Sequence, residues 1–285
     1  MQIEVKNLSC VYGEKTPFEK RALDDVSFSI EAGQSVGIVG CTGSGKSTLI
    51  QHLNGLIRSK TGQVTVLDID LSAKKPDLKA LRRGIGMLFQ YPEYQLFADT
   101  VAADVKFGPQ NFGMNKEEAE AAAREAVSLV GLDYDEIKDR SPLDLSGGQK
   151  RRVAIAGVLA YRPKILILDE PTAGLDPAGK REMLTLIDSL KKSFVETVVT
   201  VSHNMDEIAE FCQRVLVLGG GKLLHDTTPE ELFYNHDVES LGLTLPHAVR
   251  VVKLLEKRGV VLPRALTEKQ LSEALIASLG GRKNA

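Results

Sequence analysis

Cysteine is scarce in the 285-residue chain: Cys10, Cys41 and Cys212 lie far apart and form no C-x-x-C pair. Scattered single cysteines exclude a disulfide framework and a thiolate zinc site, and predict small buried hydrophobes in a reducing compartment. No apolar run approaches the ~18 residues that span a bilayer, so the chain is not expected to cross a membrane by itself. The opening MQIEVKNL has no basic stretch leading into an apolar one, which argues against a secretory leader and for a cytoplasmic protein. Excess positive charge is also missing: a formal charge of -2 and a pI near 6.3 give no net basic field for non-specific nucleic-acid binding. Internal repeats are absent too, so each chain carries one copy of whatever site it has. What remains is an ordinary balance of 43% hydrophobic and 26% charged residues, enough for one large or two modest domains with cores of their own.

Against that background one stretch stands out. Gly40-Cys41-Thr42-Gly43-Ser44-Gly45-Lys46-Ser47-Thr48 follows the apolar run Ser35 to Val39 and precedes the helical pattern Leu49, Ile50, Leu53, Leu56, Ile57. The match to G-x-x-x-x-G-K-[ST] is complete and lies in the required strand–loop–helix setting. Gly40, Gly43 and Gly45 let the backbone curl so that successive N–H groups point at a phosphate chain. Lys46 is placed to reach the β- and γ-phosphates, Ser47 to ligate Mg²⁺, and the helix N-terminus faces the same anion.

Ile3, Val5, Leu8, Tyr12 and then Leu23, Val26, Phe28, Ile30 alternate with period two, as antiparallel strands with one buried face do. Gln63 to Leu67 reads as a further strand after a first helix ending near Gly62; Lys74 to Arg83 reads as a basic linker into the strand Ile85 to Phe89. From about 91 to 145 the character turns helical, with Asn115 and Glu118 in a capping box ahead of Ala119, Ala122, Ala123, Ala126, Val127 and Val130. Strands then alternate with helical patterns: helix from Gln149 to about Ala160, strand Ile165 to Leu168, helix Pro177 to Lys191, strand Thr197 to Ser202, helix Met205 to Phe211. This α/β pattern predicts a parallel sheet covered on both faces. A hairpin at 215–225 and a capping box at Thr228 to Glu231 lead to a tail, 237–285, with two amphipathic segments.

Three further stretches carry chemistry. Leu145-Ser146-Gly147-Gly148-Gln149 opens a second helix N-terminus, where the Ser146 hydroxyl and bare glycine N–H groups suit a second anion. Ile165 to Leu168 is a buried strand ending in Asp169, where a Mg²⁺-holding carboxylate belongs, and Glu170, which can polarise an attacking water as general base. His203 ends the next strand and is expected at the same rim, able to hydrogen-bond a γ-phosphate. His52, His225, His236 and His247 have no such setting.

The order of these motifs resembles the nucleotide-binding subunit of ATP-binding cassette (ABC) transporters, over residues 1 to about 233. The resemblance rests on GCTGSGKS, Gln90 after its strand, LSGGQ, ILILDEP and His203. It implies a P-loop α/β nucleotide-binding domain at 1–236 with an antiparallel β subdomain and an inserted α-helical subdomain at about 91–145, followed by a C-terminal helical extension at 237–285. It implies ATP and Mg²⁺ as ligands, with Tyr12, or in its place Phe18, stacking on adenine, and Gln90 sensing Mg²⁺ beside Ser47 and Asp169. It also implies that Glu170 and His203 catalyse hydrolysis, that Asp176 couples two subunits, and that Ser146, Gly147, Gly148 and Gln149 contact ATP held by another chain. Gln90 to Phe97, TPFEKRALDDVSF and the two-helix tail are similar to the second A-type ATPase of energy-coupling factor (ECF) transporters. That likeness implies a second ATPase, identical or paralogous, a transmembrane coupling subunit and a small membrane protein capturing a vitamin or metal ion. The chain would then sit peripherally on the cytoplasmic face of the cell membrane, the tail would help hold the ATPase pair together, and no nucleic acid would be involved. An ATPase of another ABC importer, for amino acids or metals, is the nearest alternative; a soluble ABC ATPase is a more distant one, because no second cassette, coiled coil or basic segment is present.

Overall fold

A computed structural model describes residues 1–280. The alternating amino-terminal stretches form β1 (Ile3–Tyr12) and β2 (Lys20–Ile30), an antiparallel pair in which Val5 faces Phe28 and Leu8 faces Val26. β3 (Ser35–Val39) is buried along its whole length and feeds α1 (Lys46–Leu53). β4 (Thr61–Val66) and β5 (Ile69–Asp70) complete a four-stranded antiparallel sheet in the order β2-β1-β4-β5. After α2 (Leu78–Gly84) comes β6 (Ile85–Leu88), then a single 3₁₀ turn at Pro92–Gln95. Helices α3 (Val101–Asn111), α4 (Lys116–Leu129) and the short α5 (Tyr134–Ile137) follow, and α6 (Gly147–Leu159) returns the chain to the sheet.

The second half alternates as the pattern predicts: β7 (Ile165–Asp169), α7 (Pro177–Ser193), β8 (Thr197–Val201), α8 (Met205–Phe211), β9 (Arg214–Gly219), β10 (Lys222–Thr227) and α9 (Pro229–Asn235). The six-stranded sheet has the order β10-β9-β3-β8-β7-β6, parallel except for the edge strand β10. Because every parallel strand enters this sheet from the same side, the loops after β3, β7 and β8 emerge along one rim, where an open α/β sheet binds its ligands. The extension supplies α10 (His247–Glu256) and α11 (Glu268–Gly280), while the last five residues of the predicted tail lie outside the described ones.

Apolar clusters hold these layers. Val5, Leu8, Val26 and Phe28 of the antiparallel sheet pack with Ile38, Leu49 and Ile167. Ala123, Val127 and Tyr134 of the helical segment pack with Val153, Ile155 and Leu166. Val238, Leu243 and Val249 join Val39, Ile208 and Val217, so the first part of the extension fills a core shared with the parallel sheet.

Four expectations are corrected. α1 stops at Leu53 rather than near Gly62: Asn54 caps it, Gly55 turns left-handed at φ 64°, and Leu56 is left exposed although it continues the apolar period. Residues 78–84 of the predicted basic linker are helical, with the Asp77 carboxylate accepting from the N–H groups of Lys79 and Ala80. At α9 only half of the expected capping box forms, the Thr228 hydroxyl accepting from Glu231 N–H. Of the cysteines only Cys212 is buried; Cys10 is half-buried and Cys41 exposed, because the loop carrying Cys41 is spread around a ligand site rather than packed.

His52 is 1% exposed in α1, its Nδ1 donating to Thr48 O at 2.7 Å and its Nε2 without a partner among the described residues. Burial pushes its pKa below the ordinary 6.5, against an upward pull from the Thr48 carbonyl. The unfolded chain therefore takes up this proton at a higher pH than the native one. Stability from this group is present above pH 6.5 and is lost as pH falls through the depressed native value, at no more than about 1.4 kcal/mol per pH unit. His52→Asn keeps a donor for Thr48 and removes the titration. Thermal melts from pH 7.5 downward should give a shallower acid limb for the variant; parallel limbs would refute this origin of the pH dependence.

Candidate active site

The phosphate loop is shaped by close backbone approach. A Cβ on Gly40 would stand 2.2 Å from Leu218 O and 2.6 Å from Ser44 Oγ, so only glycine lets the loop lie against the end of β9. Lys46 is buried, its Nζ donating to the carbonyls of Gly40 at 2.6 Å and Cys41 at 3.0 Å. Burial lowers its pKa, and the charges of Glu170 and Asp169 pull it back up. Ser44 Oγ is buried with no partner among the described residues, an unmet polar group inside the loop. An ammonium held by two carbonyls, beside an orphaned hydroxyl and a curl of N–H groups, is a cradle for a phosphate chain.

A cleft of about 160 Å³ adjoins the loop, lined by Tyr12, Lys20, Ala22, Gly43, Gly45, Lys46, Ser47 and Thr48. Tyr12 stands in its wall, 42% exposed, its hydroxyl 3.3 Å from Thr48 Oγ1. Phe18 is 85% exposed and does not line the cleft. Thr42 and Ser47 are exposed at the loop surface. Lys20 and Ala22 escaped the sequence reading because they belong to an unremarkable stretch of β2 that only tertiary folding brings to the loop.

At the rim beyond β7, Asp169 is half-buried and Glu170 adopts a left-handed φ of 50°, uncommon for a side chain of this size. The Glu170 N–H is fastened to Val201 O at 2.9 Å. Its carboxylate lies between two side chains, Oε2 accepting from Gln90 Nε2 at 3.2 Å and Oε1 standing 2.9 Å from His203 Nε2. Gln90, Glu170 and His203, which come from three different loops, therefore meet. The Asp169 carboxyl is pushed up from its ordinary value first by burial and next by the like charge of Glu170, with Lys46 and His203 opposing.

The second glycine loop lies elsewhere on the surface. Ser146 Oγ accepts from Gln149 N–H at 3.3 Å while Gln149 Oε1 accepts from Ser146 N–H at 3.0 Å, a capping box that starts α6. The Ser146 hydroxyl keeps its own proton to donate. A Cβ built on Gly147 or Gly148 would meet nothing within 4 Å. Asp176 caps α7, accepting from Gly179 N–H at 2.9 Å.

Three residues that the motifs did not point to tie these loops together. Arg151, 3% exposed on α6, donates from Nη2 to Ala173 O at 3.0 Å, and its Nε lies 3.4 Å from the Glu93 carboxylate. Thr172 and Glu207 are buried and joined by a hydrogen bond of 2.6 Å. A buried Arg after the signature glycines and a buried Glu four residues after His203 are the signal in the sequence, but burial is not legible at an isolated position.

Above the rim, Tyr94, Phe97 and Phe107 are 84%, 64% and 50% exposed, with Phe97 and Phe107 edge to face at 4.8 Å. Buried Asp104 accepts from the N–H groups of Phe97 and Ala98 at 2.8 and 2.9 Å, which fixes the segment presenting these rings. Among the described residues no helix is long and apolar enough to cross a membrane.

The sequence profile described as "ABC transporter" matches residues 23–173. The energy-coupling factor transporter ATP-binding protein EcfA2 of Caldanaerobacter subterraneus subsp. tengcongensis is 48% identical over 286 residues, covering 100% of both chains. Of solved structures, cbiO1 from Clostridium perfringens, part of the ABC transporter complex cbiONQ, is similar with a TM-score of 0.73 and 34% identity, over 88% of this chain and 98% of that one. The cassette MJ0796, solved as a post-hydrolysis dimer bound to ADP and Pi, gives a TM-score of 0.70 at 30% identity, over 80% of this chain and 98% of that one.

Proposed function

Since this chain belongs to the ABC transporter family, among its energy-coupling factor ATP-binding proteins, we propose that it binds and hydrolyses ATP to power uptake of a vitamin or metal ion through an ECF-type membrane transporter. The observation that carries this reading is a division of labour. The chain has one complete phosphate loop and one signature loop at whose glycines an added Cβ would meet nothing within 4 Å among the described residues. ATP held on Lys46, with Tyr12 against its base, is then covered by Ser146 to Gln149 of a second ATPase subunit, identical or paralogous.

In that arrangement each side chain has a defined task. Lys46 holds the γ-phosphate end of the nucleotide and His203 hydrogen-bonds the same phosphate. Glu170, released from Gln90 and His203 as they turn to the nucleotide, accepts a proton from the attacking water. Asp176, at the start of α7, is positioned to couple the two subunits. Ser47, Gln90 and Asp169 offer an all-oxygen set that suits Mg²⁺, and a dication there would oppose the upward shift that burial and Glu170 give the Asp169 carboxyl. Among the described residues no three carboxylate, His or Cys side chains suffice alone, which fits an ion whose other ligands are phosphate oxygens and water. When bound, Mg²⁺ supplies charge neutralisation on the phosphates.

The exposed Tyr94, Phe97 and Phe107 suit an apolar helix of the transmembrane coupling subunit, which supports a reading in which the chain lies on the cytoplasmic face of the membrane with a substrate-capturing membrane protein beyond it. The buried contact from Glu93 to Arg151 joins that patch to the signature helix α6. In the extension, partly exposed Val251, Leu254 and Ile276 offer a surface for the second ATPase when nucleotide has left. Purification from membranes with mass spectrometry of the attached subunits tests this assignment. Tyr94→Asp with Phe97→Asp should weaken capture of the membrane subunits by roughly a thousand-fold, two aromatic anchors at about 2 kcal/mol each, while ATP binding by the isolated chain persists. Val251→Asp with Leu254→Asp and Ile276→Asp, at three exposed positions of the extension, should weaken only the ATPase pair. Undiminished capture by the Tyr94/Phe97 variant would count against the docking surface, and an intact pair in the triple variant would count against the extension's role.

A further inference from the structure

We infer that Glu207 is a positioning residue for hydrolysis: its buried carboxylate clamps the turn that carries Glu170 to the two residues flanking His203. The inference rests on the reading of Glu170 and His203 as the hydrolytic pair. Glu207 is 4% exposed in α8, and among the described residues no cation lies within ion-pair distance of it. Its two oxygens are met instead by three neutral donors. Oε1 accepts from Thr172 Oγ1 at 2.6 Å and from Asn204 Nδ2 at 3.1 Å; Oε2 accepts from Ser202 Oγ at 2.9 Å.

The placement of those donors gives the carboxylate its role. Thr172 lies two residues after Glu170, in a turn closed by Ala173 N–H to Glu170 O at 3.0 Å. Ser202 and Asn204 immediately precede and follow His203, and are themselves linked by Asn204 N–H to Ser202 Oγ at 3.0 Å. One carboxylate therefore holds both backbone segments from which Glu170 Oε1 and His203 Nε2 meet at 2.9 Å. The surroundings, Met205, Ile208 and Ala209, are apolar and buried. Packing alone would be served more cheaply by an aliphatic side chain, because a buried carboxylate without a cation is costly even when its hydrogen bonds are made. A fully satisfied network of this kind instead fixes relative position, and a displacement of about 1 Å between reacting groups is worth roughly a hundred-fold in rate.

The test uses the assembled transporter and a cycle of Glu207→Ala, His203→Ala and the double variant. Glu207→Ala should lower kcat by roughly ten- to a hundred-fold through misplacement, with KM for ATP within about two-fold of the wild type. Glu207→Gln should recover part of the loss, since its amide oxygen still accepts from Thr172 and Asn204 while its NH₂ donates to the Ser202 hydroxyl. If Glu207 acts through His203, adding Glu207→Ala to His203→Ala should cost no more than about two-fold. Folded Glu207→Ala with unchanged kcat, or multiplicative losses in the double variant, would overturn the clamp. Wild-type turnover in His203→Ala would sink the hydrolytic reading itself, whereas a large loss there with none in Glu207→Ala sinks only the clamp. Should Glu207→Ala fail to fold, Thr172→Ala removes a single donor and is read by the same cycle.

Discussion

Glu170→Gln should stop ATP turnover, by roughly 10²- to 10⁴-fold if the carboxylate is the general base, and leave nucleotide binding intact. The substitution keeps the shape of the side chain and one acceptor oxygen for Gln90 or His203, so the rim should hold its form. It removes the group able to take a proton from water. It also removes the like charge that, after burial, is the main influence raising the Asp169 carboxyl. With one negative charge fewer beside the phosphates, retention of nucleotide should be equal or greater rather than weaker. Phosphate release, with ATP-dependent association followed by sedimentation, measures both halves of the expectation. Hydrolysis at the wild-type rate would remove Glu170 from the role of base, and loss of ATP binding would mean that its main task is structural.

The parts of this site that could be read in advance share one property: their chemistry is local in sequence. Gly40 to Thr48 carries its own glycines, lysine and hydroxyl, and the all-apolar strand before Asp169 announces its burial without help from elsewhere. Helix α2 was hidden because only Leu81 among its residues is buried, so there was no apolar period to find, although Asp77 was already in place as a cap. The end of α1 is obscured for the opposite reason: Leu56 and Ile57 continue the apolar spacing beyond Asn54 and Gly55, and backbone geometry prevails over pattern. Arg151, Thr172 and Glu207 were out of reach altogether. Their partners are 22, 35 and 5 residues away in sequence, and nothing in composition distinguishes a buried Glu on α8 from its exposed neighbour Glu210. Strand order predicts that Glu170 and His203 share a rim and the family resemblance adds Gln90, whereas the hydrogen bonds among the three are not legible in the sequence.

Gly148→Asp should separate the stability of the chain from its activity more sharply than any change in the phosphate loop. Within one chain the position makes no demand for glycine: φ is not left-handed, and a Cβ would meet nothing within 4 Å. An acid in the first turn of α6 even complements the helix dipole, so the melting temperature should hold or rise, by an amount equivalent to about 0.3–1 kcal/mol. The same charge stands where the composite site requires a second anion to be received. If Ser146 to Gln149 close over ATP on a neighbouring subunit, a carboxylate there repels the γ-phosphate and keeps the bare N–H groups from approaching it. ATP-dependent pairing and turnover should then fall by roughly a hundred-fold or more, while the isolated chain still binds ATP through Lys46 as the wild type does. Equilibrium binding to the isolated chain and hydrolysis by the assembled transporter are the two measurements. A loss of ATP affinity in the isolated chain as large as that of Lys46→Ala would place the signature loop over its own nucleotide and undo the shared site. Retained affinity with lost turnover would mean that the glycines at 147 and 148 serve a partner, which is the one role the isolated fold does not explain.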